Sequence, residues 1–312
     1  MTPRPVVIDC DPGQDDALML MLALASPELD ILGITAVAGN VPLALTQRNA
    51  RLICELAGRP EARVHAGCER PMVRELVTAE YVHGRSGIDG IDIHEPALTL
   101  QQEHAVAFIV DALDAAAAGS ITLVATGPLT NLATAFVERP AIVGKVAEIV
   151  LMGGGFREGG NTTPAAEFNI YVDPDAAHIV FECGRPITVM SLDVTHQAMT
   201  TPARLRRIAA IGTPVAAAAH AMLEFYDRHD IEKYGSDGGP LHDPCTIAFL
   251  LRPELFAGKP VHVAIETRSE LTMGATVVDY WGVTGKAPNA TWIHSLDADG
   301  FYDLLIERLA RL

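Results

Sequence analysis

Short runs of β-branched residues alternate along the chain with longer stretches rich in Ala and Leu. The short runs are typical of buried strands and the longer ones of helices. The predicted strands cover residues 6–8, 31–37, 121–125, 146–152 and 186–190. The predicted helices cover residues 17–24, 43–57, a stretch from about residue 129, 174–183, 203–226, 244–251 and 304–312. This βαβ rhythm predicts a mostly parallel central sheet with helices on both faces.

The pattern changes toward the C-terminus. Segments 261–265 and 272–278 alternate apolar and polar residues, which predicts an antiparallel hairpin at the edge of the sheet. No linker, composition break or repeat divides the chain, so we expect residues 1–312 to form a single Rossmann-like α/β domain. Residues 67–98 and 153–166 lack regular patterning, and long irregular segments in a compact domain are usually functional.

Acidic residues are concentrated directly after the first predicted strand. Four aspartates fall within eight residues: Asp9, Asp11, Asp15 and Asp16. One of them could cap the following helix, but a cap needs only one acid. The chain has no Lys or Arg between Arg4 and Arg48 to offset the repulsion. Oxygen ligands at this density suit a hard divalent cation such as Ca²⁺ or Mg²⁺.

Polar residues also follow the other predicted strands. Gly39-Asn40 and Thr126-Gly127 each follow a strand, and Met152 precedes three glycines. An Asn after a Gly is by itself most often a turn residue. Because the carboxyl ends of parallel strands meet at one edge of a sheet, together these tips predict a cleft.

A second acidic position lies far along the chain, at His242-Asp243-Pro244. Asp243 before a proline is a natural helix N-cap. It is also a candidate fifth carboxylate for the cation. His242 beside it is a candidate acid or base, although a lone histidine more often serves structure.

Charge and composition limit the partners. The formal net charge of −16 disfavours nucleic acids, anionic membranes and highly phosphorylated substrates, so a neutral small molecule fits better. Five scattered cysteines and the absence of a leader or a long apolar run predict a soluble cytoplasmic protein. The sequence lacks a Walker lysine after its glycine run and any zinc-ligand spacing.

The ordered motifs resemble the inosine–uridine nucleoside hydrolase family over essentially the whole chain. The stretch from Asp9 to Ala17 is similar to the family's N-terminal signature. The later blocks match in order and approximate spacing: Gly39-Asn40, Thr126-Gly127, 151–155, Glu167-Phe168-Asn169 and His242-Asp243-Pro244. The resemblance implies hydrolysis of a ribonucleoside to ribose and free base, for nucleoside salvage. It also suggests a homodimer or homotetramer.

The same resemblance implies roles for individual residues. One Ca²⁺ would be held by Asp11, Asp15, Asp16, Asp243 and the carbonyl of Thr126. Asp11 would be the general base on a calcium-bound water, with Asn40 beside that water. The ribose 2′- and 3′-hydroxyls would be held by Asn169 and Asp15, and the 5′-hydroxyl by Asn161 and Glu167, with Met152 packing nearby. His83 and His242 would line the base pocket, with His242 as the proton donor to the leaving base.

The base pocket is the least determined part of the site. Tyr226, His229 and Tyr234 lie in segment 225–234, and each could contact the base or simply pack. His196 matches a further family block, and we favour a structural or supporting role for it. Neither a purine nor a pyrimidine preference follows.

Two alternatives to a nucleoside hydrolase remain open at this stage. One is a non-catalytic nucleoside- or ribose-binding protein, which would tolerate the loss of Asp11 and His242. The other is a haloacid-dehalogenase-type phosphatase, which also carries D-x-D after its first strand. In that class Pro12-Gly13 would be unusual and the Asp15-Asp16 pair would have no role.

Overall fold

A computed structural model describes residues 2–312, apart from the side chains of Asp230 and Tyr234, and is built around a nine-stranded sheet. The strands are β1 Arg4–Cys10, β2 Leu29–Ala36, β3 Val64–Ala66, β4 Ile121–Ala125, β5 Val146–Met152, β6 Ile187–Met190, β7 Phe256–Ile265, β8 Thr276–Asp279 and β9 Ala290–Leu296. Their order in the sheet is β3-β2-β1-β4-β5-β6-β9-β7-β8.

Helices connect these strands. They are α1 Gln14–Leu24, α2 Leu43–Leu56, α3 Glu80–His83, α4 Ala105–Ala115, α5 Thr130–Glu138, α6 Phe168–Val172, α7 Pro174–Phe181, α8 Leu192–Thr195, α9 Pro202–Ala209, α10 Pro214–Tyr234, α11 Pro244–Leu251 and α12 Ala298–Leu309. Short 3₁₀ helices cover Pro140–Lys145 and Pro253–Leu255. Among the described residues, no helix combines the length and apolar character needed to cross a bilayer.

The sheet is parallel from β3 through β6 and continues in parallel to β9. The strand β7 then pairs antiparallel with both β9 and β8 at the edge. The expected single-domain α/β fold, with a mostly parallel sheet and an antiparallel edge, is confirmed. The carboxyl ends of β1, β2, β4, β5 and β6 therefore lie along one edge of the sheet.

Each face of the sheet carries its own apolar core. Side chains alternate along β1, so that Val6 and Ile8 pack in one cluster and Val7 in the other. The helix α1 is apolar around its circumference and is buried from Gln14 to Ala23 beneath α2, α10, α11 and α12. This burial holds the first turn of α1 rigidly against the end of β1.

The sequence pattern differs from the structure in a few elements. The stretch 203–226 was expected to be one helix, but it is divided into α9 and α10 at Gly212, whose φ of 78° suits glycine. Thr213 then caps α10 by accepting a hydrogen bond from Ala216 N, and Pro214 occupies its first position. The pattern also did not indicate β3, which has only three residues, or β9, in which polar residues interrupt the apolar ones.

The burial of α1 leads to a stability prediction. Leu20 is fully buried in its middle, so Leu20→Ala leaves a cavity that the packed helices cannot close. We expect the free energy of unfolding to fall by about 2–5 kcal/mol, measured by urea denaturation. The matched control is Leu271→Ala at a side chain that is 85% exposed, which should change stability by no more than about 0.5 kcal/mol. Equal effects of the two substitutions would contradict this account of the core.

Candidate active site

A pocket opens where the parallel strands end. Most of the residues predicted from the sequence line it: Asp15, Asn40, His83, Thr126, Met152, Asn161, Glu167, Asn169, Tyr226, His242 and Asp243. Asp11 and Asp16 are fully buried and contact the lining residues Asn40 and Thr126. The predicted Tyr234 has a side chain outside the described residues. Positions up to 232 residues apart in the chain are thus brought together at one edge of the sheet (11 to 243).

The turn between β1 and α1 explains how the first acids are placed. Gly13 N donates a hydrogen bond to Asp16 Oδ2 at 3.0 Å, so Asp16 does cap α1, as the simpler interpretation required. A Cβ at Gly13 would lie 2.4 Å from His83 Nδ1, and therefore only glycine allows this approach. The cap accounts for one carboxylate and leaves the others unexplained.

Asp15, Asp16 and Asp243 each place a carboxylate oxygen within 4.8 Å of the other two. With Asp11, these residues form what we call the acid cluster. Although Asp243 stands at the N-terminus of α11, its side chain makes no capping hydrogen bond. Its carboxylate instead faces Asp15 and Asp16. Asp243 therefore occupies the predicted N-cap position without a side-chain cap, and its carboxylate fits the alternative role as a further acid of the cluster.

Asp11 is held by the loop that follows β2. Its Oδ2 accepts a hydrogen bond from Asn40 N at 2.7 Å, and Asn40 Nδ2 donates to the Asp11 carbonyl at 3.1 Å. Among the described residues, Asp11 Oδ1 and Asp15 Oδ1 are buried without a hydrogen-bond partner. Buried polar atoms are normally paired, so these two oxygens are available to bind a cation.

The electrostatics of the acid cluster point the same way. Burial raises the pKa of Asp15 to about 7 and that of Asp16 to about 6. Burial, followed by the charge of Asp16, also raises the pKa of Asp11 well above its usual range. Within residues 2–312, no ion pair includes a carboxylate of this cluster. The charge is left for protons or a cation to compensate, and an all-oxygen donor set fits a hard divalent cation.

A second group of polar residues surrounds the middle of the pocket. Asn169 Nδ2 donates to the Thr126 carbonyl at 2.7 Å and to the Met152 carbonyl at 3.2 Å. Glu167 caps α6 by accepting hydrogen bonds from Asn169 N and Ile170 N. These bonds fix Asn169 and Glu167 against the tips of β4 and β5. Both residues line the pocket.

The loop that precedes α6 is held just as firmly. Asn161 Oδ1 accepts a hydrogen bond from Phe168 N at 3.0 Å. Asp193, in α8, accepts bonds from three consecutive backbone amides at 156–158 and from Trp292 Nε1. The unpatterned stretch 153–166 is therefore held in place by hydrogen bonds, and it contributes Asn161 to the pocket lining.

Aromatic side chains and histidines form the outer part of the pocket. The ring of His83 stacks on Tyr226 at a centroid distance of 5.5 Å, and the rings of His196 and His242 lie 5.9 Å apart. Burial lowers the pKa of both His83 and His242 to about 3, so both rings are neutral at pH 7. His196 lines the pocket and its Nδ1 lies 3.0 Å from Glu158 Oε2.

Sequence reasoning missed three side chains that shape this outer part. Tyr81 lies in the unpatterned stretch 67–98 and lines the pocket. Gln14 contacts His83, and Thr195 contacts His242. Gln14 lies inside the acidic signature and Thr195 directly precedes His196. These sequence neighbours were the available indication that the two residues belong to the site. Neither residue type is distinctive enough to indicate its partner.

Comparison with known proteins agrees with this geometry. The family model described as inosine-uridine preferring nucleoside hydrolase matches residues 6–303. The chain is 49% identical to an uncharacterized protein of Schizosaccharomyces pombe over 98% of this chain and 99% of that protein. It is 48% identical to the pyrimidine-specific ribonucleoside hydrolase RihA of Klebsiella pneumoniae over 98% of both.

Solved structures show the same similarity. A plant nucleoside hydrolase superposes with a TM-score of 0.91 at 33% identity over 99% of both chains. The purine-preferring ribonucleoside hydrolase from Gardnerella vaginalis superposes with a TM-score of 0.91 at 30% identity over 98% of both chains. The chain therefore belongs to the inosine-uridine preferring nucleoside hydrolase family and is an N-ribosyl hydrolase.

Proposed function

We propose that this protein hydrolyses the N-glycosidic bond of ribonucleosides with the help of one Ca²⁺. The observation that carries the proposal is the acid cluster, which has buried, unpaired carboxylate oxygens and whose members Asp15 and Asp243 line a pocket together with amide, hydroxyl and imidazole side chains. Such a pocket suits the hydroxyl groups of a ribose, and no Lys or Arg among the described residues lines it to bind a phosphate. The protein would act in the cytoplasm in nucleoside salvage, as a homodimer or homotetramer.

The metal would be held by Asp11, Asp15, Asp16, Asp243 and the carbonyl of Thr126. Five oxygen ligands from the protein suit Ca²⁺, which accepts six to eight oxygens. Mg²⁺ usually keeps several waters and takes only one or two carboxylates. When bound, the cation keeps the carboxylates ionised and lowers the pKa of a coordinated water.

The residues around the ribose carry out the hydrolysis. Asp11 takes a proton from the attacking water while the water oxygen forms a bond to C1′. Asn40 positions that water. The C1′–N bond breaks, and its electron pair leaves with the base. The sugar then resembles an oxocarbenium ion, and nearby carboxylate and amide oxygens stabilise its positive charge. General-base assistance of this kind contributes about 10²–10⁴-fold to the rate.

Ribose is recognised by the residues fixed at the strand tips. Asn169 and Asp15 hold the 2′- and 3′-hydroxyls, and Asn161 and Glu167 hold the 5′-hydroxyl. Met152 packs beside the sugar. The support for these roles is the pocket lining together with the hydrogen bonds that keep Asn161, Glu167 and Asn169 in place.

The leaving base is handled by His83, His242 and Tyr226, with Tyr234 as a further contact. His242 assists departure by donating to the base as negative charge develops there. We infer a preference for pyrimidine ribonucleosides, because RihA, at 48% identity, is described as pyrimidine-specific, whereas the purine-preferring enzyme from Gardnerella vaginalis is 30% identical.

The first test is release of reducing sugar from uridine, cytidine, inosine and adenosine. We expect ribose from uridine and cytidine in preference to the purine nucleosides. A chelator should abolish release and added Ca²⁺ should restore it, because the acid cluster repels itself without a cation. Release that chelation leaves intact would contradict the metal requirement. No release from any nucleoside by the Ca²⁺-bound protein would contradict the hydrolase itself.

Substitution at Asp11 separates an enzyme from a nucleoside-binding protein. We expect Asp11→Asn to lower kcat by about 10²–10⁴-fold, since an amide cannot accept the proton of the attacking water. The control Asp30→Asn changes an exposed aspartate of β2 and should leave kcat unaltered. Steady-state ribose release measures the rates, and calorimetry measures uridine binding. Unchanged turnover in Asp11→Asn would exclude Asp11 as the general base.

Thermal unfolding at different pH values tests the cation site without measuring activity. Folding raises the pKa of Asp15 from 3.8 to about 7, so the metal-free folded state binds extra protons. The resulting stabilisation is complete below pH 3.8 and is lost as the pH rises through about 7. Since Ca²⁺ must displace those protons, it should raise Tm more at about pH 8 than at about pH 5. An equal increase at both pH values would argue against binding at the acid cluster.

A further inference from the structure

Two histidines of the pocket are each held through one ring nitrogen by a buried side chain. His83 Nδ1 lies 2.8 Å from Gln14 Oε1, and His242 Nδ1 lies 2.7 Å from Thr195 Oγ1. Both rings line the pocket. In a neutral imidazole one nitrogen carries hydrogen and the other accepts, so the partner of Nδ1 determines what Nε2 presents to a ligand.

The orientation of the Gln14 amide is determined by two backbone carbonyls. Its Nε2 donates to the His83 carbonyl at 2.9 Å and to the Asp89 carbonyl at 3.1 Å. Both amide hydrogens are thereby used, and Oε1 is left as an acceptor. Because Oε1 can only accept, His83 Nδ1 must carry the hydrogen. His83 Nε2 is then a lone-pair acceptor.

The Thr195 hydroxyl imposes the opposite state on His242. Thr195 is fully buried, and among the described residues its Oγ1 has no hydrogen-bond partner besides His242 Nδ1. If Nδ1 carried the hydrogen, the hydroxyl hydrogen would be buried without an acceptor, and an unsatisfied buried donor is strongly disfavoured. The hydroxyl therefore donates to Nδ1, and the ring hydrogen is on Nε2.

We propose that Gln14 and Thr195 are positioning residues that hold the two pocket histidines in opposite tautomers, giving the nucleobase one acceptor at His83 Nε2 and one donor at His242 Nε2. The nature of the ligand rests on the proposed function, whereas the tautomers rest on the hydrogen bonds alone. A pyrimidine offers a carbonyl to the donor, and an N–H or amino group to the acceptor. Donation by His242 strengthens as charge develops on the departing base, and a neutral imidazole does this without giving up its proton.

Nitrogen NMR of the Ca²⁺-loaded protein tests the tautomers directly. With ¹⁵N-labelled histidine, protonated and unprotonated ring nitrogens have well-separated shifts, and the variants His83→Gln and His242→Gln serve only to assign the signals. We expect His83 to be protonated at Nδ1 and His242 at Nε2. Thr195→Val should shift the signals of His242 toward a mixture of tautomers, whereas Thr195→Ser should keep the wild-type pattern. The same tautomer in both wild-type rings, or unchanged His242 signals in Thr195→Val, would overturn the proposal.

Kinetics tests the consequence for catalysis. Thr195→Val should lower kcat for uridine by about 10-fold, the effect of one lost hydrogen bond. It should leave cleavage of p-nitrophenyl ribofuranoside nearly unchanged, since nitrophenolate departs without a donor. Thr195→Ser should restore uridine cleavage. An equal loss on both substrates would indicate a damaged site and overturn the positioning role. A wild-type protein that cleaves no nucleoside would instead refute the proposed function. The NMR result would then decide by itself whether the two histidines have opposite tautomers.

Discussion

Repulsion among buried carboxylates is the constraint on which the rest of the site depends. Asp11, Asp15, Asp16 and Asp243 are held together beside the carboxyl end of β1, away from water and from any described basic partner. Such an arrangement persists only if packing elsewhere supplies the free energy. The fully buried α1, with an apolar core on either side of the sheet, supplies it. The stability of the fold is thus used to keep a cation site preorganised.

The same low-dielectric environment has opposite effects on the acids and the histidines. Burial raises the pKa of the clustered aspartates toward neutrality and lowers that of His83 and His242. Both shifts disfavour the charged form. The pocket therefore has a region that attracts a cation beside a region of neutral hydrogen-bonding groups. This division suits a substrate made of a polyhydroxylated sugar and an uncharged base.

Some side chains serve both the fold and the site. Asp16 caps α1 while belonging to the acid cluster, and Glu167 caps α6 while lining the pocket. The sequence alone therefore could not decide whether a given aspartate caps a helix or belongs to the acid cluster. Asp16 makes a capping bond and also belongs to the acid cluster, whereas Asp243 makes no capping bond and its carboxylate faces the cluster.

The sequence by itself determined the βαβ order, the parallel sheet and the position of the acidic residues after β1. These features depend on local periodicity and on turn residues such as Pro12 and Gly13, which lie within a few positions of what they control. Only the tertiary structure decided how the two pocket histidines, His83 and His242, are held. Gln14 and His83 are 69 residues apart, and Thr195 and His242 are 47 apart, so no local pattern links them. A buried hydrogen bond depends on where folding places two distant groups, and residue type alone does not specify that place.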